Sequence, residues 1–193
     1  MKAAGARPQS VMRHTIGQKK IPLELSMDIT QKDLDETSEM AELLKKIDNI
    51  DENYVNRVSD EIFQRQPFFL SVFLGYRHDV SPEELDEIMK MYFLIWEYFR
   101  RHKNVQTKQI TQTDFEKIQR RNIQMLHYAD GELDQKAKAQ VYTSDLQNLR
   151  SKALLTAILF MNNNRPVLLN MDPEKKATIY VGTKTFIECF ERL

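Results

Sequence analysis

The residues able to do chemistry are few and widely spaced. The chain has four histidines and one cysteine. His78 stands next to Asp79, and His127 precedes Asp130 by three positions. These are the only close histidine–carboxylate pairs. A ferritin-like di-iron site needs Glu-x-x-His on facing helices, so that two ligands share one helix face. No Glu here is followed three residues later by His, and no His-x-x-x-His pair occurs. Each histidine pair falls near a helix end, where the dipole favours His without any metal. No metal and no cofactor is therefore expected. Cys189 is adjacent to Phe190 and two positions from Ile187, which reads as a small buried hydrophobe. A single cysteine excludes a disulfide framework and a multi-cysteine zinc site. No nucleophile elbow, phosphate loop or dinucleotide fingerprint appears, and the five glycines are too scattered to build one.

The elements that would position these groups read as helices throughout. Residues 1–27 lack apolar periodicity and carry Pro8 and Pro22, so they form a basic N-terminal arm ahead of a helical domain at 28–193. The arm's acid-poor, Arg-bearing composition is also that of an organelle leader, a reading placed behind a plain arm or a start at Met12. Asp33–Asn49 sets Met40, Leu43, Leu44 and Ile47 on one face. Tyr54, Val55, Val58, Ile62 and Phe63 form the next, with Asp51 or Asn53 as cap. Pro67 then opens or interrupts a helix, and Phe68 to Tyr76 is apolar on all sides.

Ser81-Pro82-Glu83-Glu84 is the clearest local signal. Ser81 suits the cap, Pro82 the first helical position and Glu84 the reciprocal bond. The helix it starts is predicted to reach His102. Leu85, Ile88, Met89, Tyr92, Ile95, Trp96 and Phe99 form one stripe of it, and Met91, Leu94 and Tyr98 a second. A helix apolar on most sides is buried on more than one of them. Thr113 or Asp114 begins another, ending at Gly131. A further stretch from Val141 to Met161 stops at Asn162–Pro166, and Asp172-Pro173 opens the last. Gly182 in that last helix marks a kink or a close crossing. The expected fold is all-α, an irregular bundle of about six or seven helices.

The sequence is 41% hydrophobic and 29% charged, with 28 basic and 28 acidic side chains, so wholesale disorder is excluded. The longest apolar stretches, Met91–Trp96 and Leu154–Met161, are far short of a membrane span of roughly 20 residues. Absence of disulfide pairs and of a secretory signal leads to an expected cytoplasmic location. The charge is unevenly placed: residues 1–27 carry +4, 28–90 carry −9 and 91–193 carry +5. The acidic block is expected to face a basic surface, within the chain or across a subunit contact.

The preferred function is a non-enzymatic, self-associating interaction or scaffold protein, with a homodimer as the expected assembly and another protein as a further partner. Pro67–Tyr76 and Met91–Phe99 carry more apolar surface than one helix contact needs. Phe68, Phe69, Phe73 and Tyr76 are therefore candidate interface residues, with Met91 and Leu94 second. The alternative is an enzyme or small-ligand binder with an inter-helix pocket near His78, Tyr92, Trp96 and His127. A third reading is nucleic-acid association through Arg100-Arg101-Lys103, Arg120-Arg121 and Lys136/Lys138, which the balanced whole-chain charge opposes.

Overall fold

The computed structural model describes residues 31–131 and 134–193. The arm at 1–27 lies outside the described residues. Among the described residues every regular element is helical. Ten α-helices follow one another: α1 Gln31–Asp48, α2 Glu52–Arg65, α3 Pro67–Gly75, α4 Pro82–Phe99, α5 Lys103–Thr107, α6 Gln112–Gly131, α7 Gln135–Gln147, α8 Lys152–Asn164, α9 Pro166–Leu169 and α10 Pro173–Phe190. A single 3-10 turn, Tyr76–His78, links α3 to α4.

Ten helices exceed the six or seven expected, and local chemistry supplies the extra breaks. Pro67 disfavours helical backbone at the residue before it, and Gln66 sits at φ −137°, ψ 62°, outside the helical region. Pro166 does the same after Arg165, at φ −84°, ψ 125°, and starts the one-turn α9. The stretch from Val141 to Met161 is two helices rather than one. Ser151, at φ −92°, ψ 55°, separates α7 from α8. The helix from Pro82 stops at Phe99, and His102 instead adopts the extended cap position before α5.

The caps follow the sequence closely. Ser81 Oγ accepts from the Glu84 N–H at 3.2 Å, and the Glu84 carboxylate accepts from the Ser81 N–H at 2.8 Å. This is a complete capping box, with Pro82 at the first helical position. Asp51 accepts from the Tyr54 N–H at 2.7 Å, and Asp172 accepts from the N–H groups of Glu174 and Lys175. Each satisfies a donor that the helix itself leaves free.

Two helices are enclosed. In α4 every residue from Met91 to Glu97 is buried, and in α10 every residue from Val181 to Phe190. They pack on each other; α6 and α8 flank α10, and α1, α8 and α9 flank α4. An aromatic cluster joins them to α3. The Phe69 ring stacks on Tyr92 at 4.8 Å and meets Phe186 and Phe190 edge-on at 4.8 and 5.2 Å. Phe99 stacks on Phe190 at 5.1 Å. Each such ring contributes about 1.5–3 kcal/mol by leaving water. Gly182 is a close crossing rather than a kink: a Cβ there would collide with the Tyr76 hydroxyl, with the Tyr92 hydroxyl 3.7 Å away. Phe63, expected on the inner face of α2, is 65% exposed, because that face is already filled by Tyr54, Val58 and Ile62.

Gln66 fastens the α5 region to this core. Its side-chain amide donates to the carbonyls of Val105 and Lys108 at 2.9 and 2.7 Å, and its oxygen accepts from the Ile110 N–H at 3.0 Å. One buried side chain thus serves three backbone groups of an irregular segment.

Candidate functional site

The four residues expected around an inter-helix pocket do not meet. Tyr92 and Trp96 are buried in the core, Trp96 at 1% exposure, whereas His78 and His127 are exposed on the 3-10 turn and on α6. His78 accepts from the Arg77 guanidinium at 3.2 Å. Helices α3 and α10 close over the aromatics. Cys189 is buried, and loss of solvation pushes its thiol up to about 12, so it is a poor nucleophile at neutral pH.

The candidate interface residues are likewise turned inward. Phe69, Phe73, Met91 and Leu94 are core residues. Phe68 and Tyr76 are half-buried, with Phe68 edge-on to Phe115 at 5.5 Å and Tyr76 against Tyr92 at 6.2 Å. The chain's own helices cover Phe69, Phe73, Met91 and Leu94, while Phe68 and Tyr76 keep part of their surface open. The physical reason is α10: it lies against α3, α4 and α6 at once, through Phe186 and Phe190, and takes up the apolar surface that seemed to need a second copy. Among the described residues, large exposed apolar side chains are spread over α2, α3, α6, α8 and α9 as Phe63, Leu74, Ile123, Tyr128, Phe160 and Leu169.

A cleft of about 600 Å³ opens where the start of α1, the ends of α4 and α10, α5 and the α7–α8 junction converge. Its apolar floor is Tyr98, Phe99, Val105, Phe190 and Leu193, and its rim carries Glu36, Glu39 and Glu191 together with Arg101, His102, Lys103 and Arg150. Internal bonds hold the rim in place. The Glu191 carboxylate accepts from the Ser151 N–H at 2.6 Å, and the Lys108 ammonium donates to the Leu193 carbonyl at 2.8 Å. Burial, together with the charges of Glu36, Glu39 and Glu191, raises the Tyr98 phenol above its usual range, offset in part by a hydrogen bond with Ser151.

Two charge networks are buried on the enclosed helices. On α4, the Glu97 side chain is 3% exposed and accepts from the Tyr54 hydroxyl at 2.6 Å, Lys46 at 2.8 Å and Arg100 at 2.8 Å. Arg100 also reaches Glu61 of α2 at 3.0 Å. Burial pushes the Glu97 carboxyl up, but bonds from Lys46 and Tyr54 and the charge of Arg100 more than offset it, so it lies below the usual carboxylate range. On α10, the Lys184 side chain is 2% exposed. Its ammonium donates to Asn122 at 2.9 Å, to Glu188 at 2.5 Å and to Asp145 at 3.2 Å. Glu188 also pairs with Arg121. Burial holds Lys184 below the usual lysine range despite the pull of Asp145.

Further ion pairs cross between the charge blocks. Arg165 bridges Asp48 of α1 and Glu87 of α4, and Arg100 takes Glu61 of α2. The acidic block thus meets basic residues of the same chain, as expected for the intramolecular version. Arg100 and Arg121, two members of the supposed phosphate-binding clusters, are engaged internally.

The buried networks and the cleft were not singled out by sequence. Lys184 and Glu188, four apart, have the spacing of a solvated helical ion pair. The signal that places them inside is their surroundings: Ile179, Val181, Phe186, Ile187, Cys189 and Phe190 make α10 apolar on nearly every side. The cleft is assembled from four separate stretches of chain, so no local pattern announces it. Among the described residues no group of three or more His, Cys, Asp or Glu could hold a metal ion, and no helix is long and apolar enough to cross a membrane. Comparisons with protein-family models, with curated proteins and with solved structures each find no match.

Proposed function

We propose that this chain is a non-enzymatic interaction protein, its helices arranged as one irregular bundle, that self-associates through the cleft between α1, α4, α5 and α10. The observation that carries this reading is the composition of that cleft. It sets an aromatic floor inside a rim of both charge signs, the make-up of a protein contact with an apolar centre and polar edge. A two-fold contact must be self-complementary. Acidic groups on α1 beside basic groups at Arg150 and Lys103 meet that requirement, since each rim opposes the other in a rotated copy. The buried ionisable groups support a binding role over a catalytic one, because Lys184, Glu188 and Glu97 are each bonded to partners within the chain.

Sedimentation of the purified chain tests this. The wild type is expected to dimerise, Glu39→Lys to weaken the dimer, and Glu39→Lys with Arg150→Glu to restore it. A wild type monomeric at every concentration would overturn self-association. The same cleft also supports a second reading, a small-ligand site, because about 600 Å³ falls within the usual range of such pockets. For a monomer, that reading predicts that a mixed small-molecule library shifts the Tyr98 environment.

A further inference from the structure

Lys184 has three ammonium protons and three acceptors. Two acceptors belong to the inner frame: Asn122 on α6 and Glu188 on α10 itself. Asn122 is further fixed by donating to Thr185 at 3.2 Å, and Glu188 by Arg121. The third acceptor is Asp145, which comes from α7 with its two carboxylate oxygens at 3.2 and 3.1 Å.

The helix that delivers it is unlike the others around α10. None of its described side chains is buried; Val141, Tyr142 and Leu146 are only half-buried. Its main packing contact is with α6. By contrast, α6 buries Phe115, Ile118, Asn122 and Ala129. Elements with few buried apolar contacts open at lower free energy than the global unfolding of the protein. Lifting α7 therefore leaves the inner frame intact and strips Lys184 of one acceptor. With α7 lifted, the third ammonium proton is open to water or to another carboxylate in the place Asp145 held.

The geometry points to a carboxylate-binding site formed by Lys184 and Asn122 on α10 and α6, with α7 as a displaceable cover whose Asp145 occupies the site from within. The ligand class is a small monocarboxylate, because the group it replaces is the single carboxylate of Asp145. Arg121 and Arg192 stand near the same position, both paired to Glu188, and add positive charge around it. This site is separate from the cleft and does not rest on self-association.

Acetate is the probe, compared with chloride at matched pH and ionic strength on the full chain. In the wild type, acetate competes with Asp145, so hydrogen exchange at 136–147 speeds up while exchange at 181–190 does not. In Asp145→Ala, exchange at 136–147 rises by about tenfold or more over wild type. Acetate then raises the thermal midpoint of Asp145→Ala saturably above chloride, and this gain disappears in Asp145→Ala with Lys184→Met. Acetate acting no differently from chloride on Asp145→Ala overturns the site. Wild-type 136–147 exchanging only as slowly as 181–190 overturns the cover. If Asp145→Ala does not fold, the wild-type arm decides: acetate-dependent exchange at 136–147 supports the proposal, and its absence overturns it.

Discussion

Glu97 on α4 and Lys184 on α10 pose the same physical problem with opposite signs. Each is a charge almost fully withdrawn from water on one of the two enclosed helices. The cations that serve Glu97 reach in from the surface. Lys46 is 46% exposed and Arg100 is half-buried, so their own charges remain largely hydrated. The nearest acceptors of Lys184, Asn122 and Glu188, are themselves buried, and its third comes from a thinly packed helix. The difference appears in their protonation. Partners outweigh burial for Glu97, whose carboxyl is depressed, whereas burial outweighs partners for Lys184, whose ammonium is depressed. A buried charge is well served when its partners keep contact with water, and poorly served when they too must be desolvated.

The largest expected effect breaks the poorly served network. Glu188→Ala removes the closest acceptor of Lys184 and leaves that buried ammonium short of a charged partner, at a cost of about 3–5 kcal/mol in chemical denaturation. Glu97→Ala is expected to cost less, about 1–2 kcal/mol, because Lys46 and Arg100 turn to solvent and only the Tyr54 hydroxyl loses a buried partner. Equal costs would remove the distinction between the two networks. Replacing the α10 pair outright, Lys184→Met with Glu188→Leu, is expected to cost less than Glu188→Ala alone, since no buried charge is then left without its partner.

Titration sharpens the same contrast. The folded pKa of Glu97 lies below its unfolded value. Its stabilising contribution is therefore complete above the unfolded value and is lost as pH falls through the folded one. The acid limb of the stability profile is expected to shrink in Glu97→Gln. Lys184 follows the same sign in a higher pH window. Its folded pKa is below the unfolded value, so the native state releases the proton first, and this group favours folding progressively as pH rises between the two. Tyr180 and Cys189, both raised to about 12 by burial, oppose it: they ionise first in the unfolded chain, and stability falls above their unfolded values. The alkaline limb of Lys184→Met is expected to fall more steeply than that of wild type. Ser81→Ala gives the smallest effect, about 1 kcal/mol, and calibrates the scale with an exposed cap that involves no buried charge.

Much of the frame could be read directly from the chain. The capping box at Ser81, the proline openings of α3, α4 and α10, and the burial of Trp96 all appear as expected. These depend on neighbours within about four residues, or on periodicity along one helix. What was misread is instructive. Phe69, Phe73, Met91 and Leu94 carry apolar surface on several sides, and a sequence cannot say whether another helix of the same chain or a second copy covers it. Here α10 covers it, and Thr183, Lys184, Thr185 and Glu188 dilute the apolar pattern that would announce α10 as an enclosed helix. The helix count fell short because one-turn segments such as α5 and α9 are too brief to show periodicity.

The sequence by itself determined the helical class, the main helix starts and the enclosure of α4, because these follow from short-range sterics, capping and the spacing of apolar side chains. It also determined the inequality of charge between the two halves. Only the tertiary structure decided which opposite charges meet, that Lys184 lies inside rather than on a solvated face, and where a cleft opens. Those outcomes join residues far apart in the chain, 117 positions in the Arg165–Asp48 pair. Side chains that distant become neighbours only through the packing of whole helices, which no local spacing encodes.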